Sequence, residues 1–280
     1  MQNNCMRPLF FSIIAGCSLF FALAPAKKPL SKPVPVPTVS HPTEKKLVWS
    51  DEFSVDGLPD STKWAYEKGG GGWGNNEAEY YTVQRPENAR VENGCLIIEA
   101  RKEKWKNREY TSARLVTRGK ASWKYGHIEV RAKLPHGKGT WPAIWTLGDI
   151  SPFTWPDDGE IDIMEHVGYD PGMIHGSIHC KTYNHVMRTQ KTAITQVADC
   201  MDTFHVYSLD WNADSIAISI DNKQYFSFHN EHSNYAAWPF DNPQFLILNV
   251  AIGGNWGGKE GIDDTALPQK MIVDYVRAYQ

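Results

Sequence analysis

The chain has 280 residues, 41% of them hydrophobic, and a formal net charge of −3. That length holds one large all-β domain or two small ones, with ample apolar material for a core. The near-neutral balance argues against nucleic acid or an anionic membrane as partner, nothing argues for a protein partner, and a monomer is expected.

In chain order, residues 1–26 read as an export signal. Arg7 precedes an apolar run from Leu9 to Ala24, and Ala24-Pro25-Ala26 puts small residues at −3 and −1 of a cleavage site. Ile14-Ala15-Gly16-Cys17 also resembles a lipoprotein box, with Cys17 as the lipidated residue. Both readings stand: a secreted protein, or one lipid-anchored at the cell surface. The run is too short and too weakly apolar in its middle for a retained membrane helix. Residues 27–45 are rich in Pro and Lys and read as an extended linker. The folded domain is expected over 46–280.

Beyond the signal lie Cys95, Cys180 and Cys200. An exported protein can pair two of these, and Cys180 with Cys200 is the candidate pair; three free thiols fit as well. No Cys/His spacing resembles a zinc site.

From Lys46 onward short strands are split by Gly, Pro and Asn/Asp turns: Cys95–Ala100, Tyr125–Leu134, Met173–Lys181, His205–Trp211, Ser215–Asp221, Phe245–Ile252 and Ile272–Tyr279. No long stretch has a helical period, so a sandwich or barrel is expected. Ile128, Val130, Ala132 and Leu134 alternate with His127, Glu129, Arg131 and Lys133, the pattern of an antiparallel strand with one wet face. Gly69-Gly-Gly-Gly-Trp73-Gly-Asn75-Asn76-Glu77 and Gly253-Gly-Asn255-Trp256-Gly-Gly258 are loops fit to rim a cleft. The first lacks the Lys-Ser/Thr of a phosphate loop.

Thr140-Trp141-Pro-Ala-Ile-Trp145 places two indoles on one strand face, about 13 Å apart. A stacking ladder for sugar rings suits that spacing. Core packing is the other reading. Next comes Asp158-Gly159-Glu160-Ile161-Asp162-Ile163-Met164-Glu165-His166. Alternation puts Glu160 and Asp162 on one face and Ile161 and Ile163 in the core. Strict alternation would then bury Glu165, which is costly. A one-residue bulge near Met164 returns Glu165 to the acid face. Three acids in a row suit retaining glycoside hydrolysis, which needs a nucleophile and an acid/base. The same pattern also fits a solvated strand face paired with Lys or Arg, or an oxygen-rich Ca²⁺ or Mg²⁺ site.

His175, Ser177 and His179 alternate with Ile174, Gly176 and Ile178, so the polar set faces the acids if the two strands pair. One of the two His is then a donor to a sugar or an acid. Phe245–Ile252 reads as a central strand covered on both sides, with Asn249 its one strongly polar residue. Asn249 is either a core hydrogen-bonder or a sugar contact.

Taken together, Gly159-Glu-Ile-Asp-Ile-Met-Glu165 and Thr140-Trp-Pro-Ala-Ile-Trp145 resemble the bacterial laminarinase branch of glycoside hydrolase family 16. Trp49-Ser-Asp-Glu-Phe53, Asn75-Asn-Glu77, Thr111-Ser-Ala-Arg-Leu115, Tyr125–Pro135, Asn249–Trp256 and Val273–Gln280 match in order, over about residues 47–280. The resemblance implies an all-β fold: a concanavalin A-like jelly-roll sandwich of two antiparallel sheets, with a cleft on the concave face. It implies retaining endo-hydrolysis of β-1,3-glucan, extending to mixed β-1,3-1,4-glucan. Glu160 takes the nucleophile's place, Asp162 its helper's and Glu165 the acid/base's. Arg114, Trp141, Trp145, His179 and Trp256 match cleft positions; with Asn75 and Asn249 they make the expected substrate-binding set. Catalysis needs no cofactor, but a structural Ca²⁺ is implied on the convex side, at Glu52, Gly94 and Asp274, partly through backbone oxygens. The alternatives are a non-catalytic glucan-binding jelly roll, which needs no acid row, and an agarase or carrageenase of the same family. Two departures leave fine specificity open: Glu79 stands where the family often has Gln, and Ile216–Ile220 lacks a frequent Trp.

Overall fold

A computed structural model describes residues 45–280. The signal reading of 1–26, including Cys17, and the linker through residue 44 lie outside the described residues. In chain order the strands are β1 (Leu47–Asp51), β2 (Ala65–Glu67), β3 (Glu79–Tyr81), β4 (Ala89–Glu92), β5 (Cys95–Trp105), β6 (Arg108–Ser112), β7 (Arg114–Val116), β8 (Gly126–Lys133), β9 (Thr140–Gly148), β10 (Glu160–His166), β11 (Met173–His179), β12 (Lys191–Gln196), β13 (His205–Trp211), β14 (Ser215–Ile220), β15 (Lys223–His229), β16 (Gln244–Ile252) and β17 (Gln269–Tyr279). Among the described residues the helical content is one 3₁₀ turn, Asp264–Ala266.

The strands form two sheets. One runs β15-β14-β13-β8-β17-β5-β6-β3, with β1 added on β17 and β4 on β5; the other runs β12-β11-β10-β9-β16-β7-β2. Pairing is antiparallel except between β3 and β6, where Glu79–Tyr81 runs parallel to Tyr110–Ser112. The expected sandwich of two antiparallel sheets is present, with this one parallel pairing within it. β3 and β6 are not joined by a hairpin; the long excursion through β4 and β5 separates them, and this permits parallel pairing.

Period-2 alternation builds the core. Leu96, Ile98, Ile128, Val130 and Val273 of the first sheet meet Ile144, Ile161, Ile178, Leu246 and Leu248 of the second in one buried cluster. Each such side chain contributes about 1.5–3 kcal/mol by leaving water. β16 is buried along its whole length, between β9 and β7. Its Leu246, Leu248 and Val250 enter the main core, while Phe245 and Ile247 join Val116 and Leu147 in a second cluster on the opposite face. That is the two-sided cover its apolar run predicts.

Cys95, Cys180 and Cys200 are free thiols, so the candidate Cys180–Cys200 pair is not formed. Cys180 and Cys200 are fully buried and pack in the core as small apolar side chains.

Candidate active site

The acid strand β10 lies between β9 and β11. On the β11 side the register runs Glu160↔His179 and Asp162↔Ser177, then skips to Glu165↔His175. On the β9 side it steps from Asp162↔Trp145 to Met164↔Ile144. The bulge therefore sits at Ile163–Met164. Both of these residues are fully buried, and Glu165 turns back to the face that carries Glu160 and Asp162. Backbone satisfaction at the bulge comes from the other sheet: the Tyr225 hydroxyl donates to the Ile163 carbonyl at 3.0 Å. Gly159, at φ 86°, feeds the chain into the strand from the loop before it.

The outer face of this sheet holds a cleft of about 750 Å³. Glu160, Asp162 and Glu165 lie on its floor. Asn75, Arg114, Trp141, Trp145, His179, Asn249 and Trp256 all line it, so the fold brings the whole expected substrate-binding set together. Trp141 Nε1–H donates to Glu165 Oε1 at 3.0 Å, and Trp155 Nε1–H to Glu160 Oε2 at 2.8 Å. His179 Nε2 lies 3.3 Å from Asp162 Oδ2 and 3.8 Å from Glu160 Oε1. These partners are indoles and an imidazole, not Lys or Arg, so the reading of a solvated, ion-paired face does not fit.

Burial, then the negative charge of Glu160, holds the Asp162 carboxyl well above the usual carboxylate range. Burial, then the charges of Asp162 and Glu160, does the same to Glu165, against smaller opposing effects from His179 and the Trp141 N–H. The protonated form of Glu165 is thus the favoured one in the free protein.

To one side of the acids, the Arg114 guanidinium lies between Trp73 and Trp145, 4.8 and 4.6 Å from the ring centroids, and its Nε–H donates to Glu67 at 2.5 Å. Trp145 Nε1–H donates to Asn249 Oδ1 (2.7 Å), Asn249 Nδ2–H to Tyr81 Oη (3.0 Å), and Tyr81 Oη–H to Glu77 Oε2 (3.0 Å). Asn249 is thus both a cleft-lining residue and a buried hydrogen-bonder. Trp141 packs edge-on against Trp256, which in turn meets His175. The two glycine-rich loops meet through Asn76 Nδ2–H to Asn255 Oδ1 (2.8 Å) and the Asn255 N–H to the Asn75 carbonyl (2.7 Å).

Sequence reasoning missed Trp155, His185 and Glu77, which also line the cleft. The Trp155-Pro156 pair close upstream of the acid strand was the available signal for the first. His185 carried none, being in a turn without periodicity.

Glu160, Asp162 and His179 bring one ligand atom each within 4.8 Å of one another, the donor types of a divalent-cation site. The expected Ca²⁺ residues lie elsewhere, on the other sheet and its turns. There Glu52 is held by both Nε and Nη2 of Arg277 (3.0 and 2.8 Å), and Asp274 by Arg131 (2.5 Å). Gly94 sits in the β4–β5 turn. Both carboxylates are engaged by a guanidinium, which leaves the backbone carbonyls of these residues as the free oxygen donors of the kind Ca²⁺ takes.

A two-sheet β-sandwich whose aromatic cleft carries on its floor buried carboxyls that favour their protonated form is the build of a glycoside hydrolase. The chain belongs to the glycosyl hydrolases family 16, whose profile matches residues 76–277. It is similar to the beta-glucanase of Rhodothermus marinus, 49% identical over 277 residues, which cover 96% of this chain and 92% of that protein. The glucan endo-1,3-beta-glucosidase of Cryptopygus antarcticus is 40% identical over 253 residues, 83% of this chain and 91% of its own. The X-ray structure of the laminarinase from Rhodothermus marinus superposes with a TM-score of 0.83 at 53% identity, covering 84% of this chain and 97% of that one.

Proposed function

We propose that the chain is an exported, retaining endo-hydrolase of β-1,3-glucan that also accepts mixed β-1,3-1,4-glucan. The observation that carries the mechanism is the Ile163–Met164 bulge, which puts Glu165 beside Glu160 and Asp162 with its protonated form favoured. In the first step Glu160 attacks the anomeric carbon. As that C–O bond forms, the glycosidic C–O bond breaks and Glu165 gives its proton to the leaving oxygen. In the second, Glu165, now a carboxylate, takes a proton from water as its oxygen attacks the same carbon and releases Glu160. Asp162 shares a hydrogen bond with Glu160 and holds it in place. Once Glu160 is esterified its charge is gone, one of the influences raising Glu165 disappears, and Glu165 serves as a base more readily. Trp141, Trp145 and Trp256 offer stacking faces, and Asn75, Arg114, His179 and Asn249 offer polar contacts to hydroxyls.

No metal takes part in this scheme. The Glu160–Asp162–His179 cluster serves the nucleophile in this scheme, with Trp155 and Trp141 as neutral donors. A structural Ca²⁺ at Glu52, Gly94 and Asp274 would be held partly through backbone oxygens, and any side-chain ligand among them would have to leave Arg277 or Arg131. Export by residues 1–26, with cleavage after Ala26 or lipidation at Cys17, completes the reading.

The test is reducing-sugar release from laminarin, lichenan, agarose and carrageenan by wild type and Glu160→Ala. Laminarin activity that the substitution abolishes is expected, with lichenan activity reporting the breadth of the cleft. Glucan binding without hydrolysis by wild type moves the reading to a binding module. Activity on agarose or carrageenan alone moves it to the other branches of the family.

A further inference from the structure

We propose that Trp155 is a positioning residue for the nucleophile: its indole N–H fixes the Glu160 carboxylate for attack. The proposal rests on Glu160 being the nucleophile. A carboxylate on a flexible Glu side chain can present either oxygen, and it rotates unless something holds it. In this cleft Trp155 Nε1–H donates to Oε2 at 2.8 Å. His179 Nε2 stands 3.8 Å from Oε1, too far for a hydrogen bond, so Trp155 on Oε2 and the Asp162 carboxyl are the groups that hold this carboxylate.

The donor is itself held. Trp155 belongs to the loop that enters the acid strand. Asp158 closes that loop, taking the Thr154 N–H on Oδ2 (2.7 Å) while its own N–H donates to the Thr154 carbonyl (3.0 Å). The Tyr235 hydroxyl donates to Asp158 Oδ1 (2.7 Å). Lys181 ties Asp157 to the loop after β11 at 2.7 Å. The indole lies against His185, centroids 5.0 Å apart, and packs on the Phe245–Ile247 cluster. A ring fixed at its edges, with its one polar atom on the carboxylate, is pre-organised for positioning. A stacking platform for sugar needs no such bond.

Trp155→Phe keeps an aromatic ring and removes the donor. Misplacing a reacting group by a fraction of its length lowers rate rather than binding, so kcat on laminarin is expected to fall roughly 10- to 100-fold with KM within about twofold. A second substrate separates this effect from a fault in proton donation. An aryl β-laminaribioside with an acidic phenol leaving group needs little acid help, so it should restore glycosylation in Glu165→Gln but not in Trp155→Phe. A raised KM with unchanged kcat would make Trp155 a sugar-binding wall and overturn the proposal, as would rescue of Trp155→Phe by the aryl substrate. Should Trp155→Phe not fold, Tyr235→Phe loosens the same loop from a distance. It must show the same kcat-only loss, several-fold in size, and an unchanged kcat overturns the proposal too. Glu160→Ala run alongside keeps the two claims apart. Full activity there sinks the nucleophile assignment itself, whereas an inactive Glu160→Ala beside an unaffected Trp155→Phe sinks the positioning role alone.

Discussion

Tyr225 and Gly176 act together at the bulge that aims Glu165. A bulge leaves backbone outside the ladder, and a buried carbonyl without a partner is costly. Tyr225 supplies the Ile163 carbonyl with a hydroxyl at 3.0 Å. It reaches there over Gly176, where a Cβ would stand 2.6 Å from the phenolic oxygen. Removing the hydroxyl in Tyr225→Phe leaves that carbonyl unsatisfied. The expected loss is about 1–3 kcal/mol, read as a drop in Tm of roughly 2–4 °C per kcal/mol. A fall in kcat should accompany it, because Glu165 is re-aimed. Equal Tm and kcat in the variant would show that the bulge holds without the hydroxyl. The sequence announced the bulge, since an acid between Met164 and His166 cannot stay in the core unpaired. It could not announce Tyr225, which lies 62 residues away on the other sheet and touches the bulge only once the sandwich closes. Trp155 was hidden for a related reason: a loop residue has no period from which to read its direction.

At the scale of elements, β3 shows how a short strand fastens the cleft from behind. Glu79 is fully buried and accepts the Ile252 N–H from the end of β16 at 2.6 Å. Its other oxygen has no donor and faces Glu77, whose Oε2 takes the Tyr81 hydroxyl. The Arg114 cation acts on Glu77 and on Tyr81. Burial, then the charge of Glu77, holds the Glu79 carboxyl well above its ordinary value of 4.5. A proton on Glu79 gives its second oxygen a bond to Glu77. The fold thus prefers protonated Glu79. By linkage, its contribution is fully present below the unfolded value and is lost as pH rises from there toward the raised folded value. Gln at this position stays neutral at every pH. Glu79→Gln should match the wild-type Tm near pH 4 and exceed it increasingly toward pH 8, in a thermal scan across that range. A constant Tm difference at all pH would mean that the fold does not shift the Glu79 carboxyl from its unfolded value. The short β3 strand, its parallel pairing and its acid pair were not legible in the sequence. Three residues carry no period, and Glu79 stood out there only as a departure from the family's usual Gln. The long strands β8, β11, β13 and β16 were legible because alternation or an unbroken apolar run persists through them.

For the whole molecule, the cleft runs across the strands, not along them. Its lining passes from Arg114 on β7 through Asn249 on β16, Trp141 and Trp145 on β9, the acids on β10 and His175 on β11 to Thr192 on β12. Six neighbouring strands at about 4.8 Å spacing make a floor about 24 Å long. One pyranose covers roughly one strand spacing, so about five rings can lie on this floor at once. The acids stand nearer the β12 end, with two strands' worth of aromatic and guanidinium surface beyond β9 on the other side. Most binding therefore falls on one side of the scissile bond. Two consequences follow for β-1,3-gluco-oligosaccharides of increasing length. kcat/KM should climb steeply up to about five rings and then level off. Arg114→Ala, which removes from β7, three strands from the acids, the guanidinium that lies between Trp73 and Trp145, should depress the long oligomers far more than the short ones. Steady-state kinetics on the di- to heptasaccharide series reads both. A plateau already at the trimer, or an Arg114→Ala loss of the same size at every length, would mean that the far end of the cleft does not hold sugar, and that the sheet's width there serves the fold alone.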